Sequence, residues 1–272
     1  KQLGTGYPDL GYGVGVDSSG NTYVAGYTGG ALDGSNAGYY DIFLVKYDPS
    51  GAKQWTKQSG TSSYDIGYAI AVDSSGNSYL AGSTSGGLDG NSNSGSNDNF
   101  LMKYNSSGNK QWTKQTGVSQ SDTAWGVGLD SSGNVYLAGS VGAGGAIDGQ
   151  VNSGGSDGFL MKYNSSGDKQ WTRQFGTSTS DSPTGVAVDS SGNIYVTGGT
   201  LGGFGNFTNA GTWDIFLAKY NSNGVQQWVK QSGTNLEDNG NAVAIDSSDN
   251  IYITGRTTGN LDGQTTSFRQ DI

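Results

Sequence analysis

Small and branched apolar residues alternate in short runs along the chain: Gly13-Val14-Gly15-Val16, then Ala69-Ile70-Ala71-Val72, Gly126-Val127-Gly128-Leu129, Gly185-Val186-Ala187-Val188 and Ala242-Val243-Ala244-Ile245. Alternation at period two is the pattern of a strand. A second run, Thr22-Tyr23-Val24-Ala25, returns as Ser78-Tyr79-Leu80-Ala81 and as Ile251-Tyr252-Ile253-Thr254. Between the two lies Asp17-Ser18-Ser19-Gly20-Asn21, which predicts a three-residue hairpin closing on a left-handed Gly. In the fifth copy Asp249 takes the place of that Gly, and Asp tolerates positive φ better than most residues, so the hairpin survives. A third strand is predicted over Ile42-Phe43-Leu44-Val45-Lys46-Tyr47 and a fourth over Lys53-Gln54-Trp55-Thr56-Lys57, joined by the turn Asp48-Pro49-Ser50-Gly51.

The four-strand pattern repeats. Asp17, Asp73, Asp130, Asp189 and Asp246 are spaced by 56, 57, 59 and 57 residues, and Trp55, Trp112, Trp171 and Trp228 by 57, 59 and 57. Lys46, Lys103, Lys162 and Lys219 keep the same beat. Four short antiparallel strands in a unit of this length predict an all-β fold without significant helix, a β-propeller of four-stranded blades with five repeats visible, the fifth incomplete. A β-solenoid would need much shorter coils. The predicted organisation is one propeller domain over 1–272, with blades at about 4–58, 60–115, 117–174, 176–231 and 233–272 (partial), and 1–3 ending an outer strand. Gly and Ala alternate in the first strand because the innermost strands of neighbouring blades approach most closely there. The recurring Trp residues are read as blade-to-blade core.

Composition removes several chemistries. Among 272 residues there is no Cys and no His, so there is no disulfide, no thiolate zinc site and no Ser-His-Asp or Cys-His nucleophile pair. A single Glu, Glu237, leaves carboxylate chemistry to Asp, and the pattern offers no asymmetric acid pair for an Asp-based hydrolase. A net charge of -9 argues against a nucleic-acid partner. No apolar run reaches the roughly 18 residues of a transmembrane segment, and no stretch reads as a signal peptide. A start at Lys1 predicts a processed chain or a fragment. Gly is abundant, with 49 residues, but 11% aromatic content under a strict period argues for order.

The stretch Gly185-Val186-Ala187-Val188-Asp189-Ser190-Ser191-Gly192-Asn193-Ile194-Tyr195-Val196-Thr197-Gly198, with Phe216-Leu217-Ala218-Lys219-Tyr220 and Gln227-Trp228 after it, resembles the bacterial β-propeller repeat family called SBBP. The first two strands of each copy are also similar to NHL-type propeller repeats. The likeness runs through the whole chain. It implies a secreted or cell-surface propeller, in a family mostly without assigned activity, and hands over no catalytic residues.

Asp271-Ile272 aligns with Asp41-Ile42, and Lys1-Gln2 with Lys57-Gln58, so the last repeat lacks its outer half. Two explanations stand: a window cut from a longer array, or a five-bladed ring whose last blade is completed by self-assembly with another molecule.

Candidate sites lie in the loops. Asp9, Asp65, Asp122, Asp181 and Asp238 precede the five innermost strands and are expected to stand as a ring near the mouth of a channel. Clustered carboxylates invite Ca²⁺ or a positively charged partner; the alternative is that each Asp accepts N–H groups in its own turn. Loops after the second strand carry Leu32-Asp33-Gly34 and its counterparts at Asp89, Asp148 and Asp262, read as turns because their spacing does not match an EF-hand. The fourth copy departs to Phe204-Gly205-Asn206-Phe207. Tyr39, Tyr40, Trp125 and Trp213 break the repeat, and aromatics flanked by Asn, Asp and Ser suit either sugar contact or packing of the loop ends. Lys46 and its counterparts are predicted to form ion pairs or cation–π contacts. The expectation is a non-enzymatic bacterial propeller, extracellular or at the cell surface, serving as a scaffold or adhesion module toward a protein or glycan. The alternative is a glycan-binding propeller with repeated sites, assisted by calcium.

Overall fold

The computed structural model describes residues 2–264, so the alignment of Asp271-Ile272 with Asp41-Ile42 lies outside the described residues. The chain divides into two compact units, Lys1–Leu129 and Asp130–Ile272. The described elements are strands apart from three short 3₁₀ turns.

In the first unit, β1 (Asp9–Val16), β2 (Thr22–Thr28), β3 (Asp41–Tyr47) and β4 (Lys53–Ser59) form one antiparallel sheet in chain order, and β5 (Asp65–Val72), β6 (Ser78–Thr84), β7 (Asp98–Tyr104) and β8 (Lys110–Thr116) form another. The unit also holds β9 (Thr123–Leu129). One face of the first sheet, Tyr23, Ala25, Ile42 and Leu44, packs against Leu80, Leu88, Phe100, Met102 and Tyr104 of the second. Burying each large apolar side chain contributes about 1.5–3 kcal/mol. The small inner residues do what their alternation predicts. A Cβ on Gly13 would lie 2.9 Å from Ile70 Cγ2, and one on Gly15 would lie 2.6 Å from Val72 Cγ2, so the branched residues of one sheet fill notches in its neighbour.

In the second unit, β10 (Val135–Val141), β11 (Asp157–Tyr163) and β12 (Lys169–Phe175) are successive antiparallel strands. Then β13 (Asp181–Val188), β14 (Ile194–Thr200), β15 (Asp214–Tyr220) and β16 (Gln226–Ser232) form a four-stranded sheet, and β17 (Asp238–Ile245) pairs with β18 (Ile251–Thr257). Tyr136, Ala138 and Leu160 pack with Val186, Val196, Phe216 and Tyr220, and Trp171 and Phe175 close the edge of this core.

The hairpins are closed as the turn residues predict. Asp17 N–H donates to Asn21 O at 3.0 Å and Gly20 adopts φ +78°, while Asp249 accepts φ +61° in the fifth copy. The turn carboxylate is held as well: Asp17 Oδ1 accepts from Ser19 and Asn21 N–H, and Oδ2 from the Asn21 amide and the Tyr23 hydroxyl. Lys46 Nζ lies 4.9 Å from the centre of the Tyr23 ring and 3.9 Å from Asp17 Oδ2. Lys103, Lys162 and Lys219 stand over Tyr79, Tyr136 and Tyr195 in the same way. Trp55 meets Tyr23 edge-on, and Gly108 of the next sheet's outer hairpin lies against its indole, which makes it a packing residue.

One feature differs from the alternation pattern. The innermost strands begin four residues earlier than Gly13 and its counterparts, at Asp9, Asp65, Asp181 and Asp238, because each contains a β-bulge. The extra residue is Tyr12, Tyr68, Thr184 or Asn241, and pairing resumes beyond it. The facing strand must carry Gly opposite the bulge: a Cβ on Gly26 would stand 1.9 Å from Leu10 O, and one on Gly82 1.9 Å from Ile66 O.

Candidate functional site

A bulge turns its extra side chain away from the regular alternation. In the first unit the bulged residues are aromatic, and they join the loop tyrosines in one continuous belt. Tyr39 stacks on Tyr64 with centroids 5.0 Å apart and planes 12° from parallel, and Tyr40 meets Tyr64 edge-on at 5.3 Å. Tyr27 lies 4.4 Å from Tyr40 and 6.0 Å from Tyr12; Tyr12 meets Tyr68 at 5.3 Å, and Tyr68 meets Trp125 at 4.4 Å. Tyr39, Tyr12 and Tyr64 are 66%, 51% and 47% exposed, while Tyr27, Tyr40, Tyr68 and Trp125 are half-buried.

The backbone holds the belt in place. Tyr40 and Tyr64 form a parallel bridge in which Tyr39 N–H donates to Ser63 O and Asp65 N–H donates to Tyr40 O, at 3.2 and 2.9 Å. Ser85 N–H donates to Tyr64 O at 2.8 Å. Burial, with the Tyr12 and Tyr40 phenols beside it, raises the Tyr27 pKa, and burial likewise raises that of Tyr68. Both are therefore neutral hydroxyls across the physiological range.

The same backbone positions carry other side chains elsewhere. Tyr39, Tyr40 and Tyr64 correspond to Ser96, Asn97 and Ser121 in the next copy. In the fourth copy the position of Tyr40 holds Trp213 and that of Tyr27 holds Gly199, and in the copy after it the position of Tyr64 holds Glu237, which pairs with Arg256. Trp213 is half-buried against the backbone of Gly199. Three of the four aromatic candidates, Tyr39, Tyr40 and Trp125, thus belong to one belt, and Trp213 stands apart in the second unit. Tyr12, Tyr27, Tyr64 and Tyr68 complete the belt and were not singled out by the repeat. Their signal lies in the tyrosine-rich segments Gly11-Tyr12-Gly13 and Tyr64-Asp65-Ile66-Gly67-Tyr68.

The repeated carboxylates are arranged differently. Asp65 Oδ2 accepts from Thr61 N–H at 2.6 Å and Thr61 Oγ1 at 2.9 Å, and Oδ1 meets the Thr84 hydroxyl. Asp181 repeats this with Thr177 N–H at 2.6 Å and the Thr200 hydroxyl at 2.5 Å. Asp238 does so with Thr234 and Thr257, and Asp9 with Thr5 and Thr28. Asp122 takes Val118 N–H at 2.6 Å. Burial pushes the Asp65 and Asp181 pKa values above the usual carboxylate range despite these donors, and the Asp41 and Asp157 carboxylates add to the push. Among the described residues no three carboxylates come together in a group able to hold a metal ion.

The Leu-Asp-Gly loops are 3₁₀ turns in which Asp89, Asp148 and Asp262 take left-handed φ of 50°, 52° and 50°. Asp89 pairs with Lys110 at 2.8 Å and Asp148 with Lys169 at 2.6 Å, tying the loop to the outer strand of its own sheet. Phe204 in the divergent loop is buried.

Among known proteins, the chain is 31% identical over 196 residues to the regulatory protein FlaEY of Caulobacter vibrioides, a match over 64% of this chain. The chain spans about one fifth (20%) of the length of that curated relative. Its fold is similar to that of a gluconolactonase from Xanthomonas campestris, with a TM-score of 0.50 at 12% identity, over 90% of this chain and 69% of the other. The extracellular domain of a putative hybrid two component system from B. thetaiotaomicron matches with a TM-score of 0.47 at 14% identity, over 94% of this chain and 27% of the other. The gluconolactonase corrects the expectation of a non-enzymatic chain: at this identity the likeness speaks of the fold alone, but this fold carries catalysis in that protein. The model of the β-propeller repeat called SBBP matches residues 1–32, 54–89, 111–140, 170–205 and 227–262, more than half of the chain and once per period. The chain belongs to the SBBP β-propeller repeat family.

Proposed function

We propose that this propeller-repeat chain is an interaction scaffold, secreted or displayed at a bacterial cell surface, whose contact face is the aromatic belt of the first unit. The observation that carries the reading is the break in the repeat. Packing residues such as Phe100, Phe159 and Phe216 recur at one position because every sheet needs them, whereas among the described residues the belt runs across the first three copies and is not repeated beyond them. A structural requirement common to all copies does not explain a feature confined to some of them. Exposed aromatics on a fixed backbone also make good contact surface, since they offer large area at little conformational cost. No described helix is long and apolar enough to cross a membrane.

The test is saturable binding of the labelled chain to envelope preparations of the source cell. The double variant Tyr39→Ala/Tyr64→Ala is expected to lose most of that binding, and Val151→Ala, an exposed change in the second unit, to keep it. Equal binding by both variants, or none by the unaltered chain, contradicts the reading.

A further inference from the structure

We infer that the belt takes a neutral glycan chain, laid along the tyrosines with its sugar faces against the exposed rings; this rests on the belt being the contact face. The shape of the surface comes first. Seven rings follow one another at centroid separations between 4.4 and 6.0 Å, so the feature is a stripe, which suits several consecutive units of a polymer better than one small molecule. Its exposed members are spread along the stripe, with Tyr39 and Tyr64 toward one end and Tyr12 further on.

Charge decides the class of glycan. The segments 8–12, 25–30, 36–41, 60–68 and 118–125 that carry or border the belt contain no Lys or Arg. An anionic polymer would find no cation there. The nearby carboxylates do not attract a cationic one either. Asp41, Asp65 and Asp122 are 1%, 0% and 0% exposed, and the half-buried Asp9 is held by Thr5 N–H and the Thr28 hydroxyl. Asp41 Oδ2 accepts from Ala37 N–H at 2.8 Å and the Gln58 amide at 2.9 Å, and Asp65 is held by Thr61 and Thr84. Around the rings the surface offers hydroxyls, with Ser62 exposed between the two tyrosine segments. Aromatic faces bordered by hydroxyl groups and free of formal charge match a neutral sugar, whose apolar face stacks while its hydroxyls exchange hydrogen bonds. Protein interfaces place Arg beside Tyr and Trp at their hot spots, and the belt segments hold no Arg. The Tyr40–Tyr64 backbone bridge fixes the rings beforehand, which lowers the ordering cost of binding.

The experiment is calorimetric titration of the chain with neutral oligosaccharide series (cello-, xylo- and manno-oligosaccharides of two to six units), with alginate and polygalacturonate fragments as anionic comparators. At least one neutral series is expected to bind more tightly with each added unit. Tyr39→Ala and Tyr64→Ala should each weaken it about tenfold, the loss of roughly one stacking contact. Tyr39→Phe should stay near the unaltered affinity, and Trp213→Ala should have no effect. Near-ultraviolet circular dichroism checks that each variant is folded. Preference for the anionic fragments, binding that fails in Trp213→Ala but not in the tyrosine variants, or no sugar binding at all overturns the inference. If sugars do not bind but envelope binding still needs Tyr39 and Tyr64, the ligand class is wrong and the contact face stands; if neither needs them, both fail.

Discussion

Asp157 at the start of β11 and Asp181 at the start of β13 converge on the Cα of Gly176: a Cβ built there would lie 2.7 Å from Oδ1 of the first and 2.7 Å from Oδ2 of the second. Both carboxylates are fully buried, and Asp157 Oδ1 has no hydrogen-bond partner. The same glycine recurs as Gly60, Gly117 and Gly233, where a Cβ would stand 2.2, 2.2 and 2.3 Å from an oxygen of Asp41, Asp98 and Asp214. Only a glycine lets a buried carboxylate approach the end of the outer strand this closely, with the Cα–H group as its weak donor.

Gly176→Ala is therefore expected to cost about 1–3 kcal/mol, the range for overpacking a close-packed interior. Urea unfolding followed by tryptophan fluorescence measures it. A change within 0.5 kcal/mol would mean that the carboxylates move aside freely.

The buried Asp65 and Asp181 should oppose the turn aspartates in their pH dependence. Their pKa values are raised on folding, so their contribution to stability is fully present below the unfolded carboxylate range, about 4, and is lost as pH rises through the folded values. For Asp17, Asp130 and Asp189, burial pushes upward but hydrogen bonds from the turn Asn, Ser and Tyr win, and the pKa values fall. Asp246 is brought down to about 2, chiefly by the Asn250 amide and N–H. The contribution of these turns is present above the unfolded range and is lost as pH falls through the folded values. Measured by urea unfolding between pH 2 and 9, Asp65→Asn should flatten the loss of stability as pH rises above about 4, and Asp17→Asn should flatten the loss at the acid end.

Those two substitutions should also differ in size. At Asp65 an Asn can place its oxygen on Thr61 N–H and its amide on Thr84 Oγ1, which lies 3.0 Å from Gly86 O and can pass a hydrogen bond on. The expected loss at pH 8 is under about 1 kcal/mol. At Asp17 the Tyr23 hydroxyl can turn to Gly76 O, 3.1 Å away, but the Asn21 amide also donates to Oδ2 and Lys46 Nζ lies 3.9 Å from it, so an Asn there faces an N–H donor, gives up the charge opposite Lys46 and costs about 1–3 kcal/mol. Equal losses would remove the distinction between the two sets of carboxylates.

Gly82→Ala tests the bulge. The added methyl meets Ile66 O and the Phe100 ring, so the bulge that aims Tyr68 cannot form as it stands. We expect a loss of about 1–3 kcal/mol and a change in Trp125 emission, since Tyr68 lies against that indole. Unchanged emission in a folded variant would show that the bulge does not position the belt.

Much of the fold was legible because it rests on local chemistry repeated five times. Strand alternation, the Asp-Ser-Ser-Gly-Asn turns and the Gly and Ala notches each follow from one segment of sequence. The bulge was not legible: Gly11-Tyr12-Gly13 reads as plain alternation, and the displaced residue shows only once Gly26 is seen opposite Leu10 O. The carboxylates were placed in loops for the same reason, since pairing that resumes beyond a bulge leaves no mark in the hydrophobic pattern. Tyr39, Tyr40 and Trp125 stood out individually as breaks in the repeat. That they join through Tyr64, Tyr27, Tyr12 and Tyr68 depends on contacts between neighbouring sheets, which periodicity within one copy does not report.

Hydroxyl-radical footprinting of the chain bound to source-cell envelopes tests the belt as contact face most directly. Oxidation of Tyr12, Tyr39 and Tyr64 should fall together on binding, while Tyr252, 55% exposed in the second unit, stays as reactive as in the free chain. Protection of Tyr252 with the three belt tyrosines still fully reactive would contradict the account.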